Sequence, residues 1–427
     1  MASHPTVWFI SEVYYPDEQG TAFYTTGLAE GLAEDFSIRV LCSYPTVTAR
    51  GRRVRRKEVR AGVLIERCKG TTFDKNNIGL RFLNMVTYSL VLFVKAAMRV
   101  KKGDIVIAVT SPPSAPFIAK LVSGLRKARC ILRVEDVYPE TLVATGMIGE
   151  ASFLNRFLQH LNGLLYRSVD HVVVLGRDMR ALAEKKTGGS GGNVRIIRSW
   201  ADADIVFPAP KASNAMLRKL GLENRFVVSC VGNMGRAQAI ESIFEAANLL
   251  KADEMVHFLF VGTGAKRRWM EREIGARDLK NVTLVNQRPR NEQTIFLNAC
   301  DISLVSLLPG MTGAGVPSRM YNIMAAGKPI LAVTGEGSEV SLMVNEEGIG
   351  WAVPPSEGPE GIVEAILDAR SDPGRLKEMG NRAYVAAGEK YSREKIINEY
   401  RQLLLDMRVP ARPVDHAWDE RPTLSSS

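Results

Sequence analysis

Short runs rich in Val, Ile and Leu alternate along this chain with longer stretches of 3.6-residue apolar periodicity, and that alternation leaves few folds open. In the first half, residues 7–10, 38–42, 63–67, 104–109, 130–134, 171–175 and 194–197 read as strands bounded by Gly, Pro, Ser or Asp. Between them, residues 22–35, 81–100, 116–127, 153–167 and 178–186 read as helices. Strand and helix in turn specify an α/β class with a doubly wound parallel sheet. Gly188-Gly-Ser-Gly-Gly192 then reads as a flexible loop and residues 201–215 as a linker, after which the pattern restarts with strands at 226–231, 258–261, 282–285, 302–305, 330–333 and 350–353. A chain of 427 residues exceeds one ordinary core and fits two domains of about 200 residues each. Two such halves are expected to face each other across a cleft, with ligands beyond the carboxyl ends of the strands.

Composition narrows the chemistry. Lys and Arg exceed Asp and Glu by 56 to 46, and basic residues cluster at 50–60 and 99–102. Such a surface attracts nucleic acid, anionic lipid or phosphorylated small molecules. Nucleic acid is set aside, because neither zinc-finger spacing nor an aromatic RNA-binding signature occurs. The five cysteines are far apart, form no C-x-x-C, and read as buried thiols of a reducing compartment. Met1-Ala-Ser-His-Pro-Thr-Val-Trp8 has no basic n-region and runs straight into a strand, so a cytoplasmic address is expected.

Five segments carry candidate chemistry. Tyr14-Tyr-Pro-Asp-Glu-Gln-Gly20 is a strand-to-helix loop whose amides at Gly20 and Thr21 suit a phosphate or sugar oxygen, or form only a turn. Gly232-Asn-Met-Gly-Arg236 is the matching turn of the second half, where Gly232, Asn233 and Gly235 let the backbone close on a diphosphate and Arg236 adds a cation. Gly262 and Gly264 repeat the arrangement after the next strand. In Gly313-Ala-Gly-Val-Pro-Ser-Arg319, Ser318 is expected to cap a helix whose start, with Arg319, forms a second anion site. Glu339 is available to accept from a hydroxyl. In Arg133-Val-Glu-Asp-Val-Tyr-Pro-Glu140, the adjacent carboxylates Glu135 and Asp136 leave a buried strand and need solvent, a cation or a substrate hydroxyl, although Asp136 also suits a loop cap. No metal is implied, since the five histidines are scattered and no Asp-x-Asp occurs. Residues 80–102 read either as a buried crossover helix or as one lying in a membrane interface; the apolar part is shorter than the ~20 residues of a span.

Together these residues resemble the family 4 glycosyltransferases of GT-B fold, in particular the bacterial subgroup that builds O-antigen, capsule or exopolysaccharide repeat units. The likeness covers residues 7–407. It rests on Tyr15-Pro…Gly20, Arg133-Val-Glu-Asp-Val-Tyr-Pro-Glu140, Ile197-Arg-Ser-Trp-Ala-Asp-Ala-Asp204, Gly232-Asn-Met-Gly-Arg-Ala-Gln238 and Val316-Pro-Ser-Arg-Met-Tyr-Asn-Ile-Met-Ala-Ala-Gly-Lys-Pro329. The resemblance implies two Rossmann-like domains: residues 1–205 bind the acceptor and 206–390 the nucleotide sugar. A helix at 391–408 returns to the first, and a disordered tail follows at 409–427. It also implies metal-independent transfer with retention. Gly20 would approach the donor phosphates, Arg236 and Arg319 would neutralise the diphosphate, and Asp136 would lie near the reacting sugar. Gly232, Asn233, Gly235, Gly262, Gly264, Pro317, Ser318, Tyr321, Asn322 and Glu339 fall on the donor side, and Glu135, Tyr138 and Glu140 on the acceptor side. Three features depart from the family pattern: its two glutamates fall on Ala314 and Asn322, its diphosphate-turn lysine on Gln238, and its His-Asp pair on Glu135-Asp136.

The expected reaction moves a sugar, from a UDP-sugar in the first instance, to a polyprenyl-linked or otherwise membrane-held saccharide. Fixed cations and helix N-termini stabilise the departing diphosphate, and the acceptor hydroxyl attacks from the leaving-group face, with no cofactor. The expected location is the cytoplasm, with a peripheral place at the inner face of the membrane and contact with anionic lipid. Two rival readings are a GT-B-fold nucleotide-sugar epimerase and a non-catalytic protein that binds anionic lipid.

Overall fold

A computed structural model describes residues 5–73, 78–189 and 191–407. The tail expected at 409–427 lies outside the described residues. One sheet runs in the order β3-β4-β2-β1-β5-β6-β7-β8, from β1 (Thr6–Ile10), β2 (Ser37–Ser43), β3 (Lys57–Arg60), β4 (Val63–Cys68), β5 (Ile105–Val109), β6 (Arg129–Arg133), β7 (His171–Val174) and β8 (Val194–Ile196). A second runs β11-β10-β9-β12-β13-β14, from β9 (Phe226–Val231), β10 (Val256–Val261), β11 (Val282–Val285), β12 (Ile302–Ser306), β13 (Ile330–Val333) and β14 (Gly350–Val353). Both are Rossmann-like, in the α/β class expected for a GT-B chain. Every residue of β5, β9, β10 and β12 is buried, as parallel strands covered by helices on both faces require. One strand escaped the sequence: β3, at the end of the basic run, pairs antiparallel with β4. Its Lys57-Glu-Val-Arg60 lacks the apolar run of a covered strand, and charge suits a sheet edge.

By proximity the chain divides into residues 1–131 with 397–427, and residues 132–396. In the first unit the buried carboxylate of Asp104 accepts from Thr6 N, Trp8 Nε1 and Lys101 N, each at 2.9 Å, and so pins the start of β1 beside β5. Most of the last helix, Arg393–Asp406, belongs here as well. Arg401 pairs with Asp35, and Ile397 packs so closely on Gly31 that a side chain there would overlap it.

Residues 132–205 cluster with the second unit for a local reason: Asp136, Arg177, Asp178 and Arg198 are all tied to residues beyond 310. Helix Arg319–Ala325 is buried from Met320 onward and ends on Gly327, at φ +62°, with Gly327 N donating to Met324 O and Lys328 N to Ile323 O. That is the stop expected of Gly-Lys-Pro. All five cysteines are buried and unpaired.

Candidate functional site

Two glycine turns in the second unit pack backbone against backbone. Gly232 follows β9 and Gly262 follows β10, and a Cβ on Gly262 would stand 1.9 Å from Gly232 O. A Cβ on Gly264 would stand 2.4 Å from Met234 O and 2.7 Å from Asn233 Oδ1. Met234 N donates to Thr263 O at 2.8 Å and Lys266 N to Met234 O at 3.0 Å, so the second turn buttresses the first. Gly262 and Gly264 are therefore required by this close approach. Lys266 also donates through Nζ to the Gln238 carbonyl at 2.6 Å and fixes the far end of the turn.

Arg319 completes this arrangement from the start of the next helix. Its Nη1 donates to Val231 O at 3.0 Å, its Nη2 donates to Gln238 Oε1, and Nη1 lies 3.5 Å from where a Cβ on Gly232 would be. One guanidinium thus clamps both ends of the segment 231–238. Arg236 sits on that segment, exposed. Among the described residues it has no ion-pair partner, and the backbone N–H groups of Asn233, Gly235 and Arg236 find no acceptor. Open amides with a held cation and a free one make a place for a compact polyanion. Ser318 stands at the helix N-cap, but its side chain makes no capping bond, unlike the expectation. Pro317, half-buried, accepts through its carbonyl from Met320 N at 3.2 Å and closes the turn into the helix.

Asp136 meets the same loop from the other side. It forms a β-bridge with Gly315, whose Cβ would lie 3.1 Å from Asp136 Oδ1, and Val137 N donates to Ala314 O at 2.8 Å. The carboxyl reaches solvent from surroundings dense in protein atoms. That desolvation, and then the charge of Glu135, push its pKa up to about 6. Ala314, where the family resemblance puts a glutamate, is fully buried in a small apolar cluster with Leu307 and Met311.

Several expected contact residues are taken up elsewhere. Both oxygens of Glu339, fully buried, are occupied: Oε2 accepts from Arg177 N at 2.8 Å and Arg177 Nε at 2.9 Å, and Oε1 from Arg198 at 2.7 and 2.8 Å. It is a joint between helices Arg177–Lys186 and Glu339–Glu347, not an available hydroxyl acceptor. Asn322 Oδ1 accepts from Asp202 N at 2.9 Å, and Tyr321 packs on Tyr391 with ring centres 5.3 Å apart, so both serve the core. Glu135 pairs with buried Arg133 at 2.8 Å. Glu140 pairs with Lys186 at 2.7 Å and accepts from Gln159 at 3.0 Å. Tyr138 is half-buried. Sequence reasoning missed Asp178, which accepts from Gly313 N at 3.0 Å and holds the glycine loop in place. The signal was there: Gly176-Arg-Asp178 follows a strand end, where charged residues need a reason. In the first unit Gly20 opens helix Gly20–Leu32 without a side-chain cap from Gln19, and Asp17 accepts from Thr46, Val47 and Ala49 N–H groups to hold the neighbouring loop.

Comparison with known proteins places the chain in a family. Residues 19–200 match the family described as "Glycosyl transferase 4-like domain", and residues 213–386 the one described as "Glycosyl transferases group 1". The chain is 35% identical over 284 residues, 66% of its length and 70% of the relative's, to "Probable glycosyltransferase WbjE" of Pseudomonas aeruginosa. It is 26% identical over 373 residues, 83% of its length and 90% of the relative's, to "Putative colanic acid biosynthesis glycosyl transferase WcaI" of Escherichia coli K12. The structure of Anabaena Alr3699/HepE in complex with UDP-glucose superposes with a TM-score of 0.71, covering 94% of this chain and 100% of that one at 15% identity.

Proposed function

The chain belongs to the group 1 and 4-like glycosyl transferases, and from that premise we propose that it moves a sugar from a UDP-sugar to a lipid-linked saccharide in surface polysaccharide assembly, without a metal and with retention at the anomeric carbon. The observation that carries the donor half is the clamped turn at 231–238, with Arg319 held beneath it, Arg236 free upon it and three amides without an acceptor. HepE, of the same fold, binds UDP-glucose, and WcaI is named for colanic acid biosynthesis; these support the choice of donor and pathway class.

In this reading charge grows on the diphosphate as the bond to the sugar breaks. Arg236 and Arg319 and the open amides of the turn stabilise it, which is where a fixed electrostatic environment contributes most. Asp136, with its raised pKa, borders the glycine loop at Gly315 and orients the reacting hydroxyl. With Asn322 and Glu339 committed to the core, the ribose hydroxyls are met by other groups.

Kinetics test the donor half. Arg236→Ala and Arg319→Ala are each expected to lower kcat/KM for the UDP-sugar about a hundredfold. Losses of about tenfold or less for both would remove the diphosphate role. Activity is expected to persist in excess EDTA, and loss of turnover there with recovery on added Mg²⁺ would contradict the metal-independent reading.

A further inference from the structure

The order of the first sheet reverses at β1. From β1 the chain goes to β2 on one side, and later it crosses from β4 to β5 on the other through helix Ile78–Arg99, the crossover helix of the sequence reading. A crevice opens beyond the carboxyl ends of the strands at such a point, and in the second sheet the same place, between β9 and β12, holds the turn that Arg319 clamps. Glu12 stands at the reversal in the first sheet. Its N–H donates to Ser111 O at 2.7 Å and its carbonyl accepts from Ser43 N at 2.9 Å, so one residue links the ends of β1, β2 and β5. With its backbone fixed on both sides, Glu12 keeps a half-buried side chain.

The strand ends at this point offer hydroxyls and no cation. Residues 11–14, 43–46 and 110–114 carry Glu12 as their one charged side chain, among Ser, Thr, Tyr, Val and Pro. The crossover helix adds two more hydroxyls: Tyr88 Oη donates to Ser11 O at 3.2 Å, and Ser89 Oγ shares a hydrogen with Ser114 Oγ at 2.8 Å. Burial first, and then the neighbouring thiols and the charge of Glu12, keep the Tyr88 phenol protonated. The corresponding crevice of the second sheet is made the opposite way, from open amides with Arg236 and Arg319, and suits a polyanion. A carboxylate repels phosphate, whereas it accepts from two neighbouring hydroxyls of a sugar ring at once, each through a charge-assisted bond.

We propose that this crevice of the first unit receives the acceptor through its saccharide, with Glu12 accepting from a pair of ring hydroxyls. The assignment deepens the preceding reading and rests on it for calling the ligand an acceptor. It supplies a contact that Glu135 and Glu140, committed to Arg133 and Lys186, do not. Glu12 is then a selector as well as a contact, because a sugar whose hydroxyl pair is absent or turned away leaves a desolvated carboxylate without its donors.

The probe is the mixture of water-soluble saccharides that mild acid releases from a lipid-linked saccharide extract. Its binding to the full chain is titrated by saturation-transfer NMR with UDP present, and UDP binding is measured separately by calorimetry. The parent chain is expected to bind saccharide, and Glu12→Gln and Glu12→Ala are each expected to weaken that binding about tenfold or more while UDP binding stays within about twofold. Inorganic pyrophosphate, added to the parent, is expected not to displace the saccharide. Thermal melts of Glu12→Gln should match the parent, since the amide keeps the size of the side chain and the backbone bonds, so a loss of binding is a loss of contact. The proposal is overturned if the parent binds none of the saccharides, if Glu12→Gln binds them as the parent does, if pyrophosphate displaces them, or if Glu12→Gln loses UDP in equal measure, which would put Glu12 with the donor. A parent chain that binds saccharide through Glu12 but does not bind UDP would support this assignment and count against the donor reading alone.

Discussion

Arg319 and Arg236 differ in what each is free to do. Arg319 already spends two donors on Val231 and Gln238, so it shapes the turn as well as charging it. Arg236 has only its charge to give. Arg319→Lys is therefore expected to lose most of the activity that Arg319→Ala loses, because an ammonium cannot span both acceptors, while Arg236→Lys keeps the larger part. Comparing kcat/KM for the two lysine variants checks this, and equal losses would contradict it. Asp136 makes a second prediction. Its carboxyl has an ordinary value of 3.8 and a folded value of about 6, so the folded chain binds this proton more tightly than the unfolded one. Its contribution is then most favourable below the ordinary value and is lost as pH rises through about 6. Asp136→Asn is accordingly expected to raise Tm at neutral pH and to leave it unchanged in acid below the ordinary carboxylate range, while lowering transfer activity. Thermal melts at the two pH values decide it, and a variant less stable at neutral pH would show that the carboxylate is held favourably.

Among the elements, the backbone contact between the two glycine turns is the tightest constraint. Gly262→Ala would place a methyl 1.9 Å from Gly232 O at φ +153°, and a loss of about 2 kcal/mol or more is expected, with weaker UDP binding because the donor turn must shift. Denaturant unfolding with calorimetry checks both, and a variant that unfolds at the parent midpoint would contradict the packing argument. Glu339→Ala removes the shared partner of Arg177 and Arg198. Since both arginines still reach water, the expected loss is about 2 kcal/mol and not the larger figure of a sealed pair. These elements also mark how far the sequence could be read. Strands β9 to β14 were legible because apolar runs of four to six residues between Gly and Pro signals have few other readings, and the helix stop at Gly327 because its chemistry is local. The commitments of Glu339, Asn322 and Glu140 were not legible. Each partner lies far off in sequence, and a carboxylate or amide at a strand or helix end looks the same whether it awaits a substrate or has an arginine. β3 was hidden for the opposite reason, as its charges read as solvated surface.

At the scale of the whole molecule, the family assignment and the glycine turns bear on the same question, namely what leaves and what receives the sugar. Binding alone does not separate transfer from epimerisation, because both retain a diphosphate site, and vesicle binding alone does not separate an enzyme from a lipid-binding protein. The product does. The full chain incubated with a UDP-sugar and a lipid-linked saccharide extract, followed by mass analysis of the lipid fraction, is expected to show a species heavier by one sugar residue, together with released UDP, and neither with Arg319→Ala. An altered UDP-sugar without acceptor, or an unchanged lipid fraction across the common UDP-sugars, would contradict the account.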